Sequence, residues 1–338
     1  MKLSGPDDAA QFVSELYQGI LRREADPAGL AHYMAELMNG RSPASVTREF
    51  VGSEEFRALT AIKLFVPPGH FYSPIVDPAN ADRHLAKLEA SETPATLPGI
   101  AIDKGFMIKV WSDLLPFLET IPFPETSTPD YRYAFNNDAY SWGDGSLLHA
   151  MLRLHRPRRL IEIGSGWSSA CTLDTVEKYL GSGCQLTFVE PFPNLLRQLI
   201  GKAQDRVQIL EMPVQQVSLQ AFEALEAGDF LFIDSTHVLS TGSDVCFELF
   251  DVISRLRPGV FLHFHDMFWP FEYPRSWAVD ENRSWNEIYA VRAFLTHNDR
   301  WRIVFFNDYF AKHEHSLIEA TYPAFLRNPG GALWLQRI

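Results

Sequence analysis

Five short apolar runs at nearly even spacing constrain this chain more than any other feature. They are Leu160–Ile163, Leu186–Val189, Val207–Leu210, Phe230–Ile233 and Val260–Phe264. Each is too short for a buried helix, and helical stretches near 145–155, 168–180, 194–203, 216–226 and 244–256 separate them. Strands alternating with helices imply right-handed crossovers and a parallel sheet covered on both faces. The rhythm then breaks. After a helix near 285–297, Trp301–Phe306 and Ala332–Arg337 read as two strands with little helix between them, an antiparallel terminal hairpin closing the sheet.

The first 65 residues are different, helical in pattern and without a strand-like run. Asp26 before Pro27 and Ser42 before Pro43 are caps followed by a first-turn proline, and Ser53 with Glu54 and Glu55 opens a fourth helix. Residues 66–142 read as a linker or lid and helical lead-in, with helices near 79–90 and 106–118. The expected division is therefore 1–65, 66–142 and 143–338. A net charge of −12 disfavours a nucleic-acid substrate, which needs a basic surplus to neutralise phosphates. Three scattered cysteines suit a reducing compartment, and no apolar run is long enough for a secretion signal or a bilayer span. A cytoplasmic protein without a membrane span is expected.

The chemistry concentrates where strands end. Leu160-Ile161-Glu162-Ile163-Gly164-Ser165-Gly166-Trp167-Ser168-Ser169 is a strand running into a glycine turn and then a helix. The glycines let backbone approach a ligand, and the helix N-terminus offers unpaired N–H groups. The dinucleotide fingerprint fails, because Ser169 occupies its third small-residue position. Glu190, followed by Pro191, ends the second strand, where a carboxylate accepts hydrogen bonds from both hydroxyls of a ribose. The fourth strand ends in Asp234-Ser235-Thr236-His237 and the fifth in His263-Phe264-His265-Asp266. In an open parallel sheet these ends border the ligand crevice. His263 lies deeper, as either a core histidine or a site residue, while His265 and Asp266 at the strand tip are expected to meet the substrate, joined by His237. A histidine can take the proton from a hydroxyl acceptor. Alternatively Asp234 and Asp266 hold a divalent cation, Mg2+ or Mn2+, that lowers the acceptor's pKa. Metal-free base catalysis is preferred, since the histidines dilute an oxygen-only site.

Ser284-Trp285-Asn286-Glu287 fits a capping box, Ser284 as N-cap with Glu287 reaching back, or the lining of an acceptor pocket. The aromatics of 268–274 follow the fifth strand as a loop over the crevice, placed to stack on a ring or to seal the site. Tyr72, Asn137 and Tyr140 are candidates to close the cofactor pocket from the other side.

The glycine turn with its internal acid resembles motif I of class I S-adenosylmethionine-dependent methyltransferases. That resemblance implies a Rossmann-like seven-stranded sheet and makes Glu162 a positioner of the cofactor's methionine end. Residues 66–338 resemble a bacterial subgroup associated with sugar and cell-envelope genes, through GHFYSPI, IEIGSGWSS, FIDSTHV, HFHDMFWPFEYP, RSWNEIY and ALWLQRI. Ser168 departs from the commonest motif, which has a glycine there. The segment around residues 8–60 resembles a small bacterial helical domain of unknown function, read as a packing or protein-docking module. The expectation is S-adenosylmethionine-dependent methylation of an oxygen on a saccharide or small hydroxylated metabolite. The cofactor set is then Glu162, Gly164, Ser165, Gly166, Ser168, Glu190, Pro191, Asp234 and Ser235, with Asn137 and Tyr140; His265, Asp266 and His237 are the catalytic candidates. A nicotinamide-dependent oxidoreductase and a non-catalytic nucleoside-binding scaffold are the alternatives.

Overall fold

A computed structural model describes residues 5–56, 65–201 and 207–338. Two compact units follow one another, Met1–Pro67 and Pro68–Ile338. In the first, helices span Pro6–Gly19, Pro27–Met38 and Pro43–Gly52, each with proline in its first turn. The Asp26 carboxylate accepts from the Gly29 N–H and the Ser42 hydroxyl from the Ser45 N–H. Such caps contribute about 1 kcal/mol each. Val13, Tyr17, Leu37, Val46 and Phe50 form the unit's own small core. The fourth helix expected from Ser53 falls largely outside the described residues.

The second unit is built on seven strands: β1 Arg159–Ile163, β2 Gln185–Val189, β3 Gln208–Leu210, β4 Phe230–Ile233, β5 Phe261–Phe264, β6 Trp301–Phe306 and β7 Leu333–Arg337. Their order is β3-β2-β1-β4-β5-β7-β6. β1 to β5 pair in parallel, and β7 runs antiparallel to both β5 and β6. This is the seven-stranded Rossmann-like sheet. Every residue of β4 and β5 is buried, as continuous apolar runs covered on two faces require. The chain leaves β1 for β2 on one side and β4 lies on the other, so a crevice opens beyond the carboxyl ends of β1 and β4.

Two differences from the sequence reading bear on the site. The stretch between β6 and β7 holds helices Asn307–His313 and His315–Thr321, which bury Phe310 and Ile318. Seven residues are too few to show a helical period in sequence. Helix Lys104–Leu118 is not peripheral either: Trp111 is fully buried, its ring centroid 5.2 Å from Phe310 and 5.3 Å from Phe325. Residues 101–142 are thus part of the sheet's own covering layer. At its end, helix Trp142–His155 brings its first turn beneath β5 and the segment entering β7.

Candidate active site

β1 ends at Gly164, whose φ of +76° lies in the left-handed region. A Cβ there would overlap the carbonyl oxygen of Asp234, so glycine is required for β1 and β4 to approach at their ends. The preceding Glu162 is buried. Its Oε1 accepts from Ser168 Oγ at 2.6 Å and Ser169 Oγ at 2.8 Å, while Oε2 is buried without a partner. Burial pushes this carboxyl up to about 8, and the two hydroxyls only partly offset it. Glu190, one residue past β2, accepts from the backbone N–H of Ser165 at 3.1 Å and of Phe192 at 2.8 Å. It thereby ties the β1 turn to the β2 turn.

Between these turns lies a cleft of about 480 Å³, bounded by Gly164, Glu190, Pro191, Val214, Asp234 and Ser235. That volume suits a nucleoside-sized ligand. Five of the expected cofactor residues line it. Ser165 and Ser168 instead act through Glu190 and Glu162, and the Gly166 N–H donates to Ser169 Oγ at 3.1 Å. The Asn137 side chain is spent on its own loop, donating to the carbonyls of Ala134 and Tyr140 and accepting from the N–H of Ala139 and Tyr140. Tyr72 lies exposed at the surface, its ring beside Phe71.

The ends of β4 and β5 carry a cluster of four titratable groups. His237 Nδ1 stands 2.8 Å from Glu287 Oε2, and its Nε2 stands 3.4 Å from both Asp234 Oδ1 and Asp266 Oδ2. His265 Nε2 is 3.2 Å from Asp144 Oδ2, and its Nδ1 is 3.3 Å from Asp234 Oδ1 and 3.7 Å from Asp266 Oδ1. Each imidazole therefore has a carboxylate behind it and shares the same two carboxylates in front. Burial opposes charge on both rings, but the flanking carboxylates win. His237 is raised to about 10 by Asp234 and Glu287, and His265 is raised well above its ordinary value by Asp266 and Asp234. Burial also works against ionised Asp234, yet His265 and His237 hold it well below the usual carboxylate range. For Asp266 and Glu287 burial prevails and raises both. His237 and Asp266 adopt left-handed backbone, φ 60° and 58°, an uncommon state for residues other than glycine.

His263 is a core residue. It stacks on Phe232 at 3.9 Å, neither ring nitrogen has a partner, and burial pushes its pKa well below the ordinary value. His265 does not protrude from the strand tip as expected: it is 5% exposed, with the Tyr140 ring 5.0 Å away. The carboxylates of Asp234 and Asp266 are the more exposed members of the cluster. The capping-box reading of Ser284 and Glu287 is overturned. Ser284 has φ 52° and accepts from the Val76 N–H, and Asn286 occupies the N-cap position of helix Glu287–Leu295. Glu287 is buried against His237. The aromatic loop is no exposed lid either, since Trp269, Phe271 and Tyr273 are buried, with Phe271 packed against Phe306.

Asp144 was not singled out in the sequence. It accepts from the N–H of Ala332 at 3.0 Å and Gly331 at 3.3 Å and from Asn307 Nδ2 at 3.0 Å, besides facing His265. Beside the cluster, the Trp285 ring lies 4.4 Å from that of His237 and forms one wall of a cavity of about 250 Å³. Trp277, Tyr289, Glu272, His84 and Arg283 complete that wall. Glu272 accepts from Tyr289 Oη at 2.8 Å and lies 2.9 Å from His84 Nε2, and the Arg283 guanidinium sits 4.0 Å over Trp277.

Comparison with known proteins gives two family matches. Residues 161–267 match a methyltransferase domain, and residues 3–60 match a domain of unknown function, DUF4214. An uncharacterized protein of Archaeoglobus fulgidus is 32% identical over 167 residues, which are 48% of this chain and 75% of that protein. Among solved structures, a putative O-methyltransferase from Klebsiella pneumoniae is 16% identical over 77% of this chain and 96% of its own, with a TM-score of 0.39. A Podospora anserina methyltransferase bound to S-adenosylhomocysteine is 15% identical over 82% and 100%, with a TM-score of 0.35.

Proposed function

Since the chain belongs to the family of the Archaeoglobus protein and carries a methyltransferase domain across the ends of β1 to β5, we propose that it moves the methyl group of S-adenosylmethionine onto a hydroxyl oxygen. The observation that carries this reading is one cleft with the Glu190 carboxylate at one end and Asp234, a member of the His–Asp cluster, at the other. Glu190 takes the ribose hydroxyls, the Gly164 turn lies along the methionine part, and the unpartnered Oε2 of Glu162 receives its ammonium. When bound there, the cofactor would supply a methyl carbon activated on its sulfonium sulfur, for an acceptor brought to the cluster. In the transfer an acceptor oxygen attacks that carbon in line, the carbon–sulfur bond breaks, S-adenosylhomocysteine leaves, and the hydroxyl proton must be lost.

The acceptor is proposed to be a saccharide or small hydroxylated metabolite held in the aromatic cavity beside His237. Trp277 and Trp285 offer stacking faces there, and Glu272, His84 and Arg283 offer polar groups for hydroxyls.

For the proton, the cluster favours the cation version over a free histidine base. Without a cation, both nitrogens of each ring face a carboxylate and hold protons, so neither ring offers the acceptor a lone pair; a cation entering between Asp234 and Asp266 would displace the proton on His237 Nε2 and take its lone pair. Asp234, His237 and Asp266 each offer one ligand atom, all within 4.8 Å of one another, which fits a divalent cation. Such a cation lowers the pKa of a hydroxyl brought to it. Glu287 and Asp144 fix the ring orientations, and Trp285 and Tyr140 exclude water from the two imidazoles.

Isothermal titration tests the cofactor. S-adenosylhomocysteine is expected to bind and NAD not, and Glu190→Ala should cost about 1–3 kcal/mol, the loss of charge-assisted hydrogen bonds. Tighter binding of NAD would restore the oxidoreductase.

A further inference from the structure

Two imidazoles converge on the carboxylates of Asp234 and Asp266, and each is held from behind by a buried carboxylate on its far nitrogen. We infer that His237 is an inner ligand beside Asp234 and Asp266, and that the site takes a first-row transition cation of the imidazole-binding class in preference to magnesium. The inference rests on the proposed function for its purpose, but cation binding itself does not depend on methyl transfer.

Three features carry it. First, His237 Nδ1 is engaged by Glu287, which leaves Nε2 as the atom that faces both aspartates at 3.4 Å. A metal-binding histidine has this arrangement: the far nitrogen donates to a carboxylate, which fixes the tautomer and aims the near one. Second, two of the three donors, His237 and Asp266, sit in left-handed backbone, φ 60° and 58°, which fixes the direction in which each leaves its strand end. The carbonyl of His237 accepts from the N–H groups of both Asn286 and Glu287 at 3.1 Å, so this residue is pinned at the very segment that supplies its carboxylate. Third, the donor set is mixed. Magnesium keeps a near-octahedral oxygen shell and sheds water reluctantly, whereas imidazole nitrogen suits iron, cobalt, nickel and zinc. His265 Nδ1, 3.3 Å from Asp234 Oδ1, stands beside this set and orients Asp234.

The test uses the full chain, freed of metal by dialysis and titrated calorimetrically with Co2+ and with Mg2+. Co2+ should bind at least about 100-fold more tightly and develop visible ligand-field absorption. Mn2+-loaded wild-type protein should show nitrogen modulation from imidazole in pulsed electron paramagnetic resonance, a measurement that needs no variant. His237→Ala should bring the Co2+ to Mg2+ affinity ratio to within about tenfold of one. Glu287→Gln should weaken Co2+ by about 10–100-fold and shift the absorption band. Equal affinities for the two ions, no saturable Co2+ binding, or an unchanged ratio in His237→Ala would each overturn the inference. Titration with S-adenosylhomocysteine reads the cofactor proposal separately, so failure of either leaves the other standing.

Discussion

With Glu162 in its proposed role, its lone carboxylate oxygen should make affinity for S-adenosylhomocysteine depend on pH in a calculable way. Its carboxyl is raised to about 8 from an ordinary 4.5, first by burial and then by the facing charges of Asp234 and Glu190, against the hydroxyls of Ser168 and Ser169. Below pH 8 the empty site therefore holds a neutral acid, which cannot pair with the cofactor's ammonium. If binding needs the ionised form, affinity for S-adenosylhomocysteine falls with the ionised fraction, roughly tenfold at pH 7 and about 100-fold at pH 6 relative to the plateau above 8. The unliganded fold responds in the opposite sense. An acid raised on folding keeps its proton while the unfolded chain ionises, so this group's contribution to stability declines as pH rises from 4.5 towards 8. Calorimetric titration at pH 6, 7 and 8 measures the slope. Glu162→Gln is neutral at every pH and keeps the shape, so its affinity should be low and flat across the range. A wild-type profile as flat as that of Glu162→Gln, or a variant with the wild-type slope, would refute the assignment.

Asp144→Ala should cost about 3–5 kcal/mol, because it strands the N–H groups of Ala332 and Gly331, the Asn307 amide and a charged His265 in a buried site. Urea unfolding followed by tryptophan fluorescence checks it, and a loss under about 1 kcal/mol would show that the segment before β7 holds without this anchor. A protein beginning at Pro68 should fold and bind S-adenosylhomocysteine within threefold of the full chain, since the second unit has its own core. A soluble, folded protein of that length without affinity would place the N-terminal helices in the cofactor site.

Local patterns made the sheet legible, and distant ones hid the site's support. The runs in β1, β2, β4 and β5 are mainly apolar because both faces are covered, and the turn at Gly164 announces itself by residue type. Asp234, His237, His265 and Asp266 could be placed together because strand ends define one edge. The two carboxylates behind the histidines could not. Asp144 lies 121 positions before His265, inside a helix start that reads as ordinary capping chemistry. Glu287 stands three residues after a serine, so its local pattern pointed to a cap while its partner lay 50 positions upstream. The aromatic loop misled for a related reason: sequence gives the number of rings after β5 but not the wall of Phe306 and Tyr309 they pack on. Long-range pairing leaves no local period to read.

The position of β7 between β5 and β6 has a consequence for biosynthesis. It is the last strand of the sheet to leave the ribosome, yet it fills an interior place, and the Gly331 and Ala332 N–H groups that hold Asp144 behind His265 lie on the segment that leads into it. Until it arrives, β5 presents an unpaired edge in which three of four residues are apolar, the kind of surface that recruits foreign strands. A nascent chain stalled before Gly331 would thus carry the Gly164 turn and the whole His–Asp cluster, but with an open sheet and with Asp144 lacking two of its backbone donors. The backbone donors to Asp144 thus arrive in the same step that closes the open edge of β5.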